Sequence, residues 1–127
     1  MARAKTARPE VVIYHNPFCT TSRKVLGMIR EAGVEPQVIE YLKMPPTRQE
    51  LLSLLRSMDM TPRQLLRRRR GTPYDAMGLD DKAKSDEELI GAILAHPILM
   101  ERPVVIGPRG VRLCRPAERV HEVLPAR

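Results

Sequence analysis

The sequence of 127 residues predicts an α/β fold, in which helices pack against a four-stranded mixed sheet. Three observations support this class. Residues 11–41 read as strand, helix, strand; residues 44–100 carry helix signals and no strand signal; and residues 103–114 read as a β-hairpin. A β-α-β unit normally forms two parallel neighbouring strands, whereas a hairpin adds antiparallel ones. The expected sheet is therefore mixed.

The first third of the chain supplies the β-α-β unit. A short apolar run at 11–15 predicts strand one, and apolar positions at helical spacing predict a helix over 20–32. Gly33 follows that helix, where a residue in the left-handed conformation commonly ends it. Residues 36–41 predict strand two.

The middle of the chain, about 44–100, predicts a helical insert between strands two and three. Its helix starts are marked by two capping boxes and by a threonine cap followed by proline. These signals predict helices that begin at Thr47, at Thr61-Pro62 (ending near Arg69) and at Ser85, with a weaker helical piece near 73–78.

The last part contains two apolar runs, 103–106 and 111–114, on either side of the turn Gly107-Pro-Arg-Gly110. A final helix is expected from Pro116. The order β-α-β, helices, β-β-α is a thioredoxin-like layout. We expect one domain over 10–127, preceded by a flexible tail at 1–9 that shows no periodicity.

Composition is that of a globular protein, with 43% hydrophobic and 29% charged residues. The net charge of +7 favours an anionic partner, which can be a small anion, a nucleic acid or an acidic protein. Neither a transmembrane run nor a signal peptide is evident, and two cysteines do not make a secreted disulfide framework. These features predict a cytoplasmic protein without a membrane partner.

Cys19 is the strongest candidate for chemistry. It lies at the turn between strand one and the first predicted helix, among polar neighbours that are not typical of a buried structural cysteine. Unpaired N–H groups at a helix start stabilise a thiolate and can hold an oxyanion beside it. Ser22 stands where a C-x-x-C motif would place a second cysteine, so its hydroxyl can donate to the thiolate but cannot form a disulfide. Cys19 is thus expected to need an external thiol.

Two neighbours of Cys19 have roles that the sequence leaves open. A positively charged His15 would stabilise the thiolate, but the ring could equally bond the loop backbone. Asn16 is expected to shape the loop.

Cys114 is expected to be a buried strand residue, since no spacing rule supports it as a resolving partner.

Three arginines stand out by their position. Arg102 and Arg115 flank the predicted hairpin, and Arg67 directly follows Leu66. A guanidinium suits a tetrahedral oxyanion, since its fork of donors binds two oxygens at once. Arg67 to Arg70 would be successive on a helix and could not all face one site, so this run is interpreted as a solvated face or a polyanion patch. Neither a metal-ligand spacing nor a glycine-rich phosphate loop appears, and we expect no bound metal or cofactor.

Together these residues resemble the glutaredoxin-coupled, glutathione-dependent arsenate reductases of bacteria. The matching motifs are Ile13-Tyr-His-Asn-Pro-x-Cys19-x-Thr-Ser-Arg23, Tyr41-Leu-x-x-Pro-Pro-Thr-Arg48, Arg63-x-Leu-Leu-Arg67, His96-Pro-Ile-Leu-x-x-Arg-Pro-Val-Val105 and Arg112-Leu-Cys-Arg-Pro116. They extend over nearly the whole chain beyond the tail.

The resemblance implies specific roles. Cys19 would be the nucleophile, His15 would tune it and Ser22 would hydrogen-bond it. Three arginines would bind the oxyanion, namely Arg67, Arg102 and Arg115. Pro103 would be a cis-proline opposite the nucleophile, and Cys114 would be dispensable for turnover.

Arsenate would be the substrate and arsenite the product, with glutathione as co-substrate and glutaredoxin as partner. The alternatives are a redox-responsive regulator of the same fold that binds RNA polymerase and a thiol reductase of another substrate. Nucleic-acid binding is not expected, because few aromatic residues interleave the arginine run.

Overall fold

The computed structural model describes residues 10–69 and 72–126. The predicted tail at 1–9 and Arg70 lie outside these residues, so the predictions for them stay predictions. Over the ranges described, no helix is long and apolar enough to cross a membrane.

The four strands form one sheet, as predicted. They are β1 (Val12–His15), β2 (Gln37–Glu40), β3 (Val104–Gly107) and β4 (Gly110–Leu113), arranged in the order β2-β1-β3-β4. Strand β1 is parallel to β2 and antiparallel to β3, and β3 is antiparallel to β4. The mixed, thioredoxin-like sheet is confirmed, with the strands of the β-α-β unit on one side (β2 and β1) and those of the hairpin on the other (β3 and β4).

Alternation along the central strands divides the interior into two hydrophobic clusters, one on each face of the sheet. Ile13 and Val105 join the cluster under α1 (Thr20–Glu31) and the C-terminal segment. Tyr14 and Val104 join the larger cluster, which the helical insert covers. The sheet is buried on both faces, so polar residues are left for the end of the sheet at which β1 leads into α1.

The insert is helical, with α2 (Arg48–Met58), α3 (Pro62–Leu65), α4 (Pro73–Ala76) and α5 (Asp86–Ala95). Capping boxes at Thr47, Thr61 and Ser85 begin three of these helices, which confirms the predicted starts. Gly33 has φ +84°, in agreement with its predicted place after α1. The segment from Pro116 forms a 3₁₀-helix, Ala117–Glu122, where a final helix was expected.

The prediction of a helix continuing to about Arg69 is wrong. Helix α3 ends at Leu65, because the backbone then turns extended and Leu66 forms an antiparallel β-bridge with Met100. The Arg67 N–H donates to the Leu99 carbonyl at 2.6 Å, and the Glu101 N–H donates to the Leu65 carbonyl at 2.9 Å. This bridge joins the insert to the segment before β3.

Candidate active site

Cys19 is the N-cap residue of α1, at the end of the loop that leaves β1. Its backbone is extended (φ −95°, ψ 123°), and its side chain is partly exposed. The loop is closed by the Cys19 N–H, which donates to the Asn16 carbonyl at 3.0 Å. The Asn16 side-chain oxygen accepts from the Phe18 N–H at 2.9 Å, so Asn16 shapes the loop as expected. Cys19 is therefore held at the positive end of the helix.

The environment lowers the pKa of the Cys19 thiol. Burial alone would raise the pKa, but the Ser22 N–H, the Arg102 guanidinium and the Thr21 N–H all stabilise the thiolate and outweigh burial. The predicted ionisation at a helix N-terminus is confirmed in direction. The arginine contributes to it as well as the helix.

His15 and Ser22 form a buried pair behind the loop rather than a charged pair beside the sulfur. His15 Nδ1 lies 2.6 Å from Ser22 Oγ, and the Asn16 N–H donates to the same oxygen at 3.0 Å. Burial, with nearby Arg30 and Arg23, lowers the pKa of His15 despite Glu40, so the imidazole is neutral at pH 7. Of the two roles left open for His15, the structure supports the one in which the ring holds the loop, through the Ser22 hydroxyl rather than the loop backbone.

The predicted contact between the Ser22 hydroxyl and the thiolate is likewise replaced. The hydroxyl is engaged by His15 and Asn16, and it is the backbone N–H of Ser22 that stabilises the Cys19 thiolate. Ser22 is fully buried, so its side chain fixes the first turn of α1. Both residues remain site residues, but each acts through the backbone that holds Cys19.

The three arginines predicted to bind an oxyanion converge on Cys19. They line a cavity of about 360 Å³ at the N-terminus of α1. Its walls are Phe18, Cys19, Thr20, Thr21, Arg67, Arg69, Arg102 and Arg115. A larger cavity of about 490 Å³ lies between α2, α3 and α5, but no cysteine or histidine lines it. Chemistry is therefore assigned to the cavity with the thiol.

Arg102 and Arg115 are fixed by the loops beside the hairpin. The Arg102–Pro103 peptide is cis, as the resemblance implies for Pro103, and the Arg115–Pro116 peptide is cis as well. Arg102 is only 6% exposed and donates from Nη1 to the Ile98 carbonyl at 3.3 Å. Arg115 donates from Nη1 to the Arg102 carbonyl at 3.0 Å. The two arginines are thus coupled through the backbone.

Two guanidinium donors in this cavity have no partner. Across the described residues, the buried side-chain nitrogens and oxygens without a hydrogen bond are Arg67 Nε and Arg102 Nε. An unpaired buried donor costs about 1–3 kcal/mol, so native proteins rarely leave one without a reason. Two such donors on two arginines of one cavity indicate a site that is completed by acceptor oxygens of a ligand.

The arginine run after α3 contributes more residues to the cavity than was expected. Because this stretch is not helical, residues two apart point the same way. Arg67 and Arg69 both line the cavity, while Arg68 does not. Sequence analysis treated Arg69 as part of a solvated patch, since the expected helix placed it elsewhere.

Two other residues of the site were missed. Glu101 pairs with Arg67, its Oε1 accepting from Nη1 at 2.9 Å. Tyr41 is fully buried, and its hydroxyl donates to the Met100 carbonyl at 3.4 Å. Burial raises the pKa of Tyr41, although Arg102 and Asn16 oppose the rise, so its phenol stays protonated beside these residues. Tyr41 lay within a matching motif, which was the available signal, whereas nothing in the sequence singled out Glu101.

Cys114 has none of the features of a reactive thiol. It is fully buried in the cluster under α1, directly after β4, and burial raises its pKa to about 12. Both cysteines are free. In the ranges 10–69 and 72–126, no group of three or more potential metal ligands is found.

Comparisons with known proteins agree with this geometry. The model of the ArsC family matches residues 14–123. The arsenate reductase of Rhizobium meliloti (strain 1021) is 55% identical over 115 residues, which cover 91% of this chain and 81% of that protein. The arsenate reductase of Escherichia coli (strain K12) is 50% identical over the same shares.

A solved structure, an arsenate reductase from Vibrio cholerae, superimposes with a TM-score of 0.86 at 38% identity. The superposition covers 93% of this chain and 100% of the Vibrio cholerae chain. The family suggested by the motifs around Cys19 and the arginines is confirmed by these matches. The chain belongs to the ArsC family.

Proposed function

We propose that this chain reduces arsenate to arsenite through the Cys19 thiolate, with glutathione and a glutaredoxin as the source of electrons. The observation that carries the proposal is a single cavity that combines a thiol of lowered pKa with two buried, unpaired guanidinium donors. Arsenate near neutral pH is a tetrahedral anion with four acceptor oxygens, which such donors can bind. The activity also agrees with that of the arsenate reductases to which the chain is similar.

The first step is binding of the oxyanion. Arg67, Arg102 and Arg115 surround its oxygens, and the N-terminus of α1 offers further N–H groups. The unpaired Nε atoms of Arg67 and Arg102 gain acceptors. An oxyanion held in this way would have its arsenic beside Cys19 Sγ.

The second step forms a sulfur–arsenic bond. The Cys19 thiolate attacks As(V), and one arsenate oxygen leaves as water after protonation. Negative charge on the remaining oxygens is stabilised by the same arginines. Glutathione then displaces a second oxygen as water, which leaves arsenic bonded to two sulfurs.

The third step transfers electrons. A glutaredoxin thiolate attacks the glutathione sulfur, a mixed disulfide forms, and the electron pair of the broken sulfur–arsenic bond stays on arsenic. As(V) thus becomes As(III), and two thiols are oxidised to one disulfide. Hydrolysis of the last sulfur–arsenic bond frees arsenite and returns the Cys19 thiolate.

The need for outside thiols follows from the two cysteines of the chain. Ser22 stands in the position of a resolving cysteine, and Cys114 is fully buried with a pKa of about 12. Neither can form a disulfide with Cys19 as the protein is folded. We place the reaction in the cytoplasm, because glutathione keeps thiols reduced there.

A coupled assay tests this function. Arsenate-dependent NADPH oxidation is measured with glutathione, glutathione reductase and a glutaredoxin, and Cys19→Ser is the control. We expect turnover that requires arsenate, glutathione, glutaredoxin and Cys19. Turnover by the serine variant would refute the nucleophile, and turnover without glutaredoxin would refute the proposed electron path.

The same assay separates the alternatives. A thiol reductase of another substrate would show no arsenate dependence. A regulator that binds RNA polymerase would bind the polymerase and reduce no arsenate. No contact among the described residues favours either alternative over the oxyanion cavity.

A further inference from the structure

Glu101 lies between two of the arginines that line the cavity. Its Oε1 accepts from Arg67 Nη1 at 2.9 Å, and its Oε2 lies 3.9 Å from Arg115 Nε. The side chains of Arg67 and Glu101 are 12% and 22% exposed, which makes theirs the least exposed ion pair in the described part of the chain. Ion pairs on the surface contribute little to stability, whereas the attraction within a shielded pair is screened far less by salt.

The backbone fixes Glu101 opposite Arg67. The bridge between Leu66 and Met100 is flanked by two hydrogen bonds, from the Arg67 N–H to Leu99 and from the Glu101 N–H to Leu65. The two side chains therefore start from backbone positions that are set before they meet. The cost of fixing the two side chains in one conformation is therefore met when the chain folds, before any anion binds.

Glu101 is not among the residues that line the cavity, so it contacts the arginines from behind. Glu101 is also not among the main groups that shift the pKa of Cys19. Through Arg115, which donates to the Arg102 carbonyl at 3.0 Å, it is connected to the third arginine as well. Glu101 thus contacts the guanidinium groups of the site directly, whereas no contact joins it to the thiol.

We propose that Glu101 is a positioning residue, whose carboxylate spans Arg67 and Arg115 and holds both guanidinium groups where a tetrahedral oxyanion meets them. The inference rests on the proposed function only in taking an oxyanion as the ligand. A guanidinium on a long flexible stem must otherwise be ordered when the anion binds, which weakens binding. With Glu101 in place, two of the three groups are ordered beforehand.

Two variants test the inference. Glu101→Gln keeps the size but cannot present a carboxylate oxygen to both arginines, because its amide nitrogen would face one of the guanidinium groups. Glu101→Asp keeps the charge but is one methylene shorter, so it cannot span both partners. Glu87→Gln is the matched control, since Glu87 pairs with Arg48 on the exposed surface and does not line the cavity.

The readout compares two alkylating agents that differ in charge. Iodoacetate is an anion that the arginines attract, and iodoacetamide is neutral. Their rate ratio at Cys19 therefore cancels the reactivity of the thiolate itself and reports on the attraction of an anion to the cavity. For Glu101→Gln we expect the iodoacetate rate and kcat/KM for arsenate to fall about 10- to 100-fold, the loss typical of misplaced binding groups. The arsenate loss should be in KM, and the iodoacetamide rate should not change.

Each outcome decides the inference. A Glu101→Gln rate ratio equal to that of the parent overturns it, and a higher ratio shows that the carboxylate competes with anions instead. Full activity of Glu101→Asp shows that charge alone acts and also overturns it. If Glu101→Gln melts below the assay temperature, the Asp variant provides the comparison. A lowered iodoacetate rate in a chain that never reduces arsenate would reject the proposed function and leave this inference intact.

Discussion

Replacing Arg102 separates charge from geometry at the site. This side chain is buried, its Nε has no partner, and its positive charge lowers the pKa of Cys19. Arg102→Lys keeps a positive charge but has no fork and no Nε donor. Arg102→Met removes the positive charge as well as the hydrogen-bond donors. The two variants should therefore differ in the thiol pKa, while both lose oxyanion binding.

The magnitude follows from the hydrogen bond that lysine cannot make. A hydrogen bond to a charged group contributes about 1.5–3 kcal/mol, which corresponds to a loss of about 10- to 150-fold in kcat/KM for arsenate. We expect this loss for Arg102→Lys. Its thiol pKa should remain lowered, whereas that of Arg102→Met should rise toward the value of an ordinary cysteine.

Two measurements check this prediction. The pH dependence of Cys19 alkylation by iodoacetamide gives the thiol pKa, and steady-state turnover gives kcat/KM. Arg112→Lys is the control, because Arg112 pairs with Glu122 and does not line the cavity. The reasoning is refuted if Arg102→Lys retains the parent kcat/KM, or if Arg102→Met leaves the thiol pKa unchanged.

Four further predictions concern three buried residues. Cys114→Ala should retain arsenate turnover, because the thiol is fully buried; a loss above tenfold at equal protein stability would contradict its assignment to the core. The raised pKa of Cys114, about 12, means that the unfolded chain ionises first, so its contribution to stability is complete below about pH 8.5 and is lost toward pH 12, by at most about 1.4 kcal/mol per pH unit. Urea unfolding at pH 8 and pH 10 should show this loss in the parent and not in Cys114→Ala. Ser22→Ala leaves His15 Nδ1 and the Asn16 N–H without their shared partner, at a cost of about 1–3 kcal/mol that thermal unfolding would detect. His15 should titrate below the ordinary value of about 6.5 in a proton NMR pH series, and titration above that value would show that the imidazole is not held neutral.

The parts of the fold that could be predicted from sequence are those with a local signal. Alternation in β1 and β3 gives the two buried faces, and two capping boxes with one threonine cap followed by proline give the helix starts. Cys19 was identifiable because its polar neighbours and the following helix lie within a few positions of it. Arg102 and Arg115 could be singled out because they flank the two strands of a recognisable hairpin.

The rest depends on contacts between distant parts of the chain. The bridge between Leu66 and Met100 ends α3 early and overrides the helical tendency of the residues that follow. Arg69 reaches the cavity only because that stretch is extended. Glu101 meets Arg67 across 34 positions, and no local pattern marks such a pair. The charge of His15 likewise could not be predicted, since its burial results from tertiary packing.

The two cysteines show how environment alone divides one residue type into two functions. Cys19 has N–H donors and a guanidinium beside it, so its pKa falls and its sulfur stays open to a cavity. Cys114 is surrounded by aliphatic side chains, so its pKa rises to about 12 and its sulfur cannot be reached. Reducing As(V) to As(III) requires two electrons, and a single accessible thiol cannot form an intramolecular disulfide that would provide them. Under the proposed function, the chain therefore activates and holds the oxyanion, and the thiols that complete the reduction reach Cys19 from solvent.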